Sequence, residues 1–322
     1  MENFRKMINY VRISVTDNCN LRCQYCVEED EKCGKNKDHL SPDEIKLITQ
    51  AFALMGVKKI RLTGGEPTIR TDIEEIIEKI SSVEEIESIA ITTNGLKLSD
   101  RIETFYKKGV RGINISLDTL NSKKYRGITR GGELQKVIDL LEKASQIEGL
   151  KIKINAALMK GINEDEIPEL AGLAEKYGAD VRFIELMPIG AGKGFTAVLK
   201  EEILEKLSMD SSNLVKKNNV LDGPAKYFYQ SSSGGRVGYI SSVSQEFCSS
   251  CNRIRVTSTG FLKLCLHLNK GIPLKPYLEK GYDVHQLKEV ILEALKDKKG
   301  ITMEREIEKE EAETLKMYEI GG

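Results

Sequence analysis

Three cysteines, Cys19, Cys23 and Cys26, stand at C-x3-C-x2-C spacing in the run Val11-Arg-Ile-Ser-Val-Thr-Asp-Asn-Cys-Asn-Leu-Arg-Cys-Gln-Tyr-Cys26. Three thiolates can hold three irons of a 4Fe–4S cubane and leave the fourth iron open to a small chelating ligand. The alternative is a structural zinc loop, closed tetrahedrally by Cys33 or His39 as fourth ligand. Zinc pairs are usually C-x2-C, so the C-x3-C arm favours iron–sulfur chemistry. A second set, Cys248, Cys251 and Cys265, is spaced C-x2-C-x13-C, with His267 close by. Spacing alone leaves this set open between a cluster and a zinc site of three cysteines and one histidine. Cys33 belongs to neither set and reads as a free thiol.

Arginines are suited to oxyanions, because planar guanidinium groups bind oxygens in bidentate fashion. Arg12 and Arg61 fall on strand patterns, and Lys153 falls on the fifth. Arg253 and Arg255 lie two apart beside the second cysteine pair and share a face if that stretch is extended. Each of these taken singly reads as a solvated surface charge. No P-loop lysine motif is present, so the chain is not a conventional NTPase. Gly64-Gly65-Glu66-Pro67 follows a strand end, where two glycines let the backbone approach a ligand without a Cβ clash. Alone, that motif reads equally well as an ordinary βα turn.

Composition sets the outer bounds. The 322 residues suggest about two domains at ~150 residues each and can bury a sizeable core. Lys plus Arg and Asp plus Glu both number 49, so no global field draws in nucleic acid or an anionic membrane. The opening Met-Glu-Asn-Phe-Arg-Lys carries no signal-peptide stretch, and no run approaches the ~18 apolar residues of a membrane span. A cytoplasmic protein is therefore expected, in which seven cysteines act as metal ligands rather than disulfides. The 30% charged content, rich in Lys and Glu, and the lack of Trp lean toward a heat-adapted source.

The elements that must position these groups alternate. Strands are predicted at Val11–Val15, Lys59–Leu62, Ser88–Ile91, Gly112–Ile115, Lys151–Ala157 and Val181–Leu186. Several read as largely apolar runs, the pattern of strands covered on both faces. Ser41-Pro-Asp-Glu44 opens a helix, with Ser as N-cap and Pro at the first helical position. Further helices are predicted at Asp72–Ile80, Asp100–Lys108, Leu134–Ile147, Glu164–Tyr177, Glu201–Leu207 and Val284–Leu295. Gly109 and Gly178 follow helix ends that need a left-handed cap. Gly190–Gly194 reads as a glycine-rich loop, and Asn213–Ser244 as loop and strand material turning at Ser231–Gly235. Repeated βα units imply a parallel sheet with right-handed crossovers. Polar or glycine clusters follow each of the six strands, which places one functional rim at the C-terminal face of a barrel. A doubly wound sheet would concentrate its ligand at one switch point instead.

The chain is similar to the GTP 3′,8-cyclase family, radical S-adenosylmethionine enzymes that begin molybdenum-cofactor biosynthesis. The resemblance runs from about Tyr10 to the last residue. It rests on the first cysteine run, Ile60-Arg-Leu-Thr-Gly-Gly-Glu-Pro67, Ile91-Thr-Thr-Asn-Gly-Leu96, Ile113-Asn-Ile-Ser-Leu-Asp118 and Val181-Arg-Phe-Ile-Glu-Leu-Met187. It also rests on Cys248-Ser-Ser-Cys-Asn-Arg-Ile-Arg255, Cys265 and the Gly-Gly terminus. The first triad alone points only to the superfamily; the second triad with Gly-Gly points to the family.

The resemblance implies an α/β fold: an incomplete (β/α)6 TIM-like barrel over residues 1–240, whose open side is closed by a C-terminal iron–sulfur region over 241–322. It implies two 4Fe–4S clusters, on Cys19, Cys23 and Cys26 and on Cys248, Cys251 and Cys265, the second with its open iron toward the guanine base. It assigns Tyr25, Gly65, Ser116 and Met187 to S-adenosylmethionine, and Arg12, Arg61, Thr92, Lys153, Arg253 and Arg255 to GTP. Arg253, Arg255, Gly321 and Gly322 are given catalytic roles, the tail entering the barrel to meet its arginines. The implied reaction takes hydrogen from C3′ of GTP with a 5′-deoxyadenosyl radical, then closes a ring onto C8 to give 3′,8-cyclo-7,8-dihydro-GTP. Implied partners are an electron-donor protein, a cyclic pyranopterin synthase that takes the product, and a second copy in a homodimer, with no nucleic acid and no membrane. The N-terminus is shorter than is usual in the family. Two rivals are a radical S-adenosylmethionine enzyme that modifies peptides or proteins, and a metal-stabilised binding or electron-transfer module. The first commonly carries more C-terminal cysteines, and the second has no use for glycine and polar clusters after six strands.

Overall fold

A computed structural model describes residues 8–31, 33, 34, 36, 38–209, 225–241, 253–266, 268–296, 298, 313 and 315–321. Cys248, Cys251, His267 and Gly322 lie outside the described residues, as does the side chain of Arg253.

Six strands run in chain order as parallel neighbours: β1 (Tyr10–Ser14), β2 (Lys59–Thr63), β3 (Ser88–Thr93), β4 (Val110–Ser116), β5 (Lys151–Leu158) and β6 (Asp180–Glu185). Between them lie the helices Pro42–Ala53, Ile73–Ser81, Ile102–Lys107, Leu134–Ser145 and Ile167–Tyr177. The predicted elements are therefore present, shifted by a few residues at their ends. The start of Pro42–Ala53 shows why such ends are legible. Glu44 N–H donates to Ser41 Oγ at 3.2 Å, and Ser41 N–H donates to Glu44 Oε2 at 2.7 Å, which closes a reciprocal cap worth about 1 kcal/mol.

The strands are not apolar on both faces, as the sequence reading had it. They alternate. Val11, Ile13, Ile60, Leu62, Ile113, Ile115, Ile152 and Ile154 share one face and are buried in the hydrophobic core. Burial of each such side chain contributes about 1.5–3 kcal/mol as an upper estimate. The opposite parity carries Arg12, Arg61, Asn114, Lys153 and Arg182. Only one face of this parallel sheet is sealed by apolar packing; the inner one is kept polar for use.

The later strands extend both edges of this six-stranded core. The hairpin of β7 (Lys226–Gln230) and β8 (Arg236–Ile240) joins β6 through a parallel β6–β8 pairing. The strands β9 (Arg253–Val256), β10 (Phe261–Lys263) and β11 (Gly271–Pro273) follow from β1, with β9 parallel to it. Among the described residues the result is one eleven-stranded sheet whose ends are β11 and β7. It is an incomplete barrel whose edges are lengthened by the C-terminal part of the chain. No helix of the described residues is long and apolar enough to cross a membrane.

A helix that was not predicted, Ser122–Thr129, follows β4. Asn121 Oδ1 caps it by accepting from Lys123 N and Lys124 N. Its stretch Ser-Lys-Lys-Tyr-Arg-Gly-Ile-Thr has no sustained apolar stripe, which is why periodicity missed it.

Candidate active site

The loop after β1 carries Cys19, Cys23 and Cys26, and its backbone is fastened from two sides. On one side it packs against the Gly64-Gly65 turn at the end of β2. Gly65 N–H donates to Thr16 O at 2.8 Å, and Glu66 N–H donates to Asn18 O at 2.7 Å. A Cβ on Gly65 would overlap Asn18 O and lie 2.9 Å from Asp17 O. The glycine pair thus admits the cysteine loop's own backbone at close approach. On the other side Gln24 N–H donates to Ile128 O at 2.9 Å and Arg22 N–H to Thr129 O at 3.2 Å. The unpredicted helix is therefore the second anchor of the loop.

Two buried carboxylates support it. Glu66 accepts from Thr68 N, Thr68 Oγ1, Thr93 Oγ1 and Asn94 N at 2.6–3.0 Å. Burial pushes its carboxyl up against those bonds. Asp17 accepts from Asn36 N–H and Nδ2, and pairs with His39 Nε2 at 2.7 Å. His39, the candidate fourth zinc ligand, is thus engaged by Asp17. Cys19, Cys23 and Cys26 offer three soft thiols on one loop, with Cys33 close by, and the three fit a cubane with one open iron. Burial pushes the Cys19 and Cys26 thiols up to about 12 and that of Cys23 well above its ordinary value. The bare loop therefore holds neutral thiols, and iron binding must release their protons. Cys33 is half-buried and close enough for its charge to raise both Cys19 and Cys26.

Tyr25 is on this loop itself, while Ser116 ends β4 and Met187 follows β6. The Tyr25 hydroxyl donates to Asp118 Oδ2 at 2.7 Å, and Ala157 N–H donates to Asp118 Oδ1 at 2.8 Å. Burial raises the Asp118 carboxyl to about 6. The glycine-rich segment Gly190–Gly194 is a short 3-10 helix rather than an open loop. A Cβ on Gly192 would lie 2.5 Å from Met187 O and 3.5 Å from Tyr25 O, so this segment ties Met187 to the cysteine loop.

The barrel's inner face holds the predicted cations in two rows of register. Arg255 pairs with Arg12, Arg12 with Arg61, Thr92 with Asn114, and Asn114 with Lys153. Arg253 pairs in the backbone with Tyr10. Arg61, Lys153, Arg182, Arg236 and Arg255 are all 7% exposed or less. Guanidinium and ammonium groups are rarely buried this deeply without a counter-charge. Asp180 supplies one: Arg236 donates to it through Nε at 2.8 Å and Nη2 at 2.7 Å, and Lys153 Nζ stands 3.5 Å away. Thr63 Oγ1, Asn155 Oδ1 and Arg182 Nε have no hydrogen-bond partner among the described residues and are buried. Buried polar atoms normally find a protein, water or ligand partner. The face suits a polyanion with further polar groups.

Tyr10, Asp180, Arg182 and Arg236 belong to this face and were not singled out from the sequence. For the first three the signal was available: Tyr-Val-Arg-Ile-Ser, Lys-Ile-Arg-Leu-Thr, Lys-Ile-Lys-Ile-Asn and Asp-Val-Arg-Phe each alternate polar or charged residues with apolar ones. The tail reaches the same rim. The short helix Met317–Ile320 packs on the cysteine side, with Tyr318 Oη 3.2 Å from Glu31 Oε1 and Lys316 paired to Glu31. Gly321 is buried in a left-handed turn, φ 74°. A Cβ there would overlap Thr63 Oγ1 and lie 3.2 Å from Ser14 Cβ.

Comparison with known proteins finds two families over adjoining stretches of the chain. Residues 13–174 match the Radical SAM superfamily, and residues 179–303 match Molybdenum Cofactor Synthesis C. The GTP 3′,8-cyclase of Clostridium perfringens (strain SM101 / Type A) is 42% identical over 323 residues, covering 100% of this chain and 99% of the relative. That of Clostridium botulinum (strain Okra / Type B1) is 40% identical over 328 residues and covers 100% of both. Streptococcus suis SuiB bound to S-adenosylmethionine aligns with a TM-score of 0.62 at 16% identity, over 90% of this chain and 70% of that one. At that identity the likeness is one of fold.

Proposed function

The chain belongs to the GTP 3′,8-cyclase family of the radical S-adenosylmethionine superfamily, and from that membership we propose how its residues divide the work. The activity is the S-adenosylmethionine-dependent cyclisation of GTP that opens molybdenum-cofactor biosynthesis. A 4Fe–4S cluster and S-adenosylmethionine serve it, the cluster supplying the electron that starts the radical chemistry.

Cys19, Cys23 and Cys26 hold that cluster. Gly65 seats their loop and, with Tyr25, Ser116 and Met187, lines the S-adenosylmethionine side. Arg12, Arg61, Thr92, Lys153, Arg253 and Arg255 bind GTP from the inner face. Cys248, Cys251 and Cys265 hold a second 4Fe–4S cluster at the guanine end. Gly321 and Gly322 bring the tail to the arginines.

The observation that carries this reading is the register of Arg255, Arg12 and Arg61 on three neighbouring strands, on the same barrel whose rim holds the cysteine loop. Guanidiniums at fixed strand spacing grip a triphosphate from several sides and orient the ribose before any bond changes. Burial of the face excludes water from the reacting carbon. The same reading includes residues 1–240 and 241–322 as its two parts, a cytoplasmic location, an electron-donor protein, product transfer to a cyclic pyranopterin synthase, and a homodimer.

The test separates substrate binding from radical initiation. In the Arg253→Ala/Arg255→Ala double variant, GTP cyclisation should fall while uncoupled formation of 5′-deoxyadenosine persists. Unchanged cyclisation would contradict the assignment of these arginines.

A further inference from the structure

Tyr10 lies at the base of the cation face, 7% exposed. Arg12 Nε donates to its hydroxyl oxygen at 2.6 Å. The Arg61 guanidinium stands over its ring at 5.1 Å from the centroid, and that of Arg12 at 5.9 Å. Among the described residues, the charged groups seen to act on it are cations. Arg12 is on its own strand, Lys59 and Arg61 are on β2, Arg255 is on β9, and Arg182 acts on it from β6. Arg253 is in register with it, its side chain outside the described residues. Burial pushes the phenol up, but Arg12, Arg61 and Arg255 outweigh burial and bring it down to about 7.

We propose that Tyr10 is a counter-charge built into the floor of the pocket: a phenolate in the substrate-free enzyme that takes up a proton from solvent when a triphosphate settles on the same guanidiniums. The inference rests on the reading that Arg12 and Arg61 bind the triphosphate. The face holds several buried cations, and a phenolate among them lowers their mutual repulsion. An arriving triphosphate brings more negative charge to the same groups. It weakens their pull on the phenolate and disfavours a second anion beside it, so the phenol regains its proton. The hydroxyl then has a hydrogen to donate, while its ring still supports Arg61.

Calorimetric titration of the reconstituted holoprotein with GTP at about pH 8, in two buffers of different ionisation heat, counts the proton taken up, about one per GTP bound. GTP affinity of the parent should also fall about tenfold per pH unit above the phenol's value, with a much shallower slope in Tyr10→Phe. That variant keeps the ring over Arg61 and loses only the hydroxyl. Guanosine, without phosphates, should draw no proton. GTP binding by the parent without proton uptake overturns the proposal, as does equal uptake in Tyr10→Phe. An Arg12→Ala/Arg61→Ala variant that binds GTP as tightly as the parent would instead overturn the triphosphate reading.

Discussion

The α-carbon of Gly65 faces the carbonyl oxygen of Asn18 so closely that a Cβ would overlap it. Two backbone hydrogen bonds, Gly65 N–H to Thr16 O and Glu66 N–H to Asn18 O, hold the turn after β2 against the cysteine loop in that position. Backbone on both sides leaves nothing flexible to give way. Gly65→Ala should therefore displace the loop and lower iron incorporation on anaerobic reconstitution, with the barrel still folded by circular dichroism. Full iron content in the variant would show that the loop tolerates the shift.

Gly321 makes a comparable contact with a side chain. Gly321→Ala adds a left-handed penalty of about 1–2 kcal/mol and a clash with Thr63 Oγ1. Cyclised product should drop while iron content stays at the parent level. Thr63 Oγ1 has no hydrogen-bond partner among the described residues, so its removal breaks no hydrogen bond seen within them. Thr63→Ala should restore part of the activity of Gly321→Ala. No rescue would mean that the overlap is not what displaces the tail.

Asp180 offers a pH test of the inner face. Burial pushes its carboxyl up, but Arg236, Lys153 and Arg182 outweigh burial and hold it below its ordinary value. A carboxyl lowered in this way contributes stability above its unfolded value, near 3.9, and loses it only as pH falls through the folded value. Asp180→Asn should cost about 3–5 kcal/mol, as when one partner of a buried pair is removed. Between about pH 7 and pH 5 that cost should be constant, because the titration window lies lower. Chemical denaturation checks it; a cost that shrinks toward pH 5 would show that the carboxyl is not held low.

Iron counting tests both cysteine sets. The reconstituted parent should carry about eight irons, and replacement of either triad by Ala should remove about four. Loss of Cys19, Cys23 and Cys26 should also abolish 5′-deoxyadenosine formation. One zinc with about four irons in the parent would assign the second set to zinc.

The sequence by itself determined the order of strands and helices, the cysteine loop and the family. These follow from local signals: fixed spacing, a Ser41–Glu44 cap, β-branched runs and glycines at helix ends. The face each strand turns inward was also legible, in the alternation of Tyr10, Arg12 and Ser14 with Val11 and Ile13, although the apolar half of that pattern dominated the reading. What only the tertiary structure decided depends on pairing between distant segments. Register alone brings Arg255 beside Arg12 and Arg12 beside Arg61. Only the closed loop contact shows that Gly65 must also accommodate the backbone of Asn18. The helix Ser122–Thr129 exists because packing against the cysteine loop and its Asn121 cap offset a weak local pattern. Tyr10 gains its low proton affinity only when three guanidiniums from three strands surround it. Such effects arise from through-space distance, and spacing along a chain carries no distance between strands that meet only in the folded sheet.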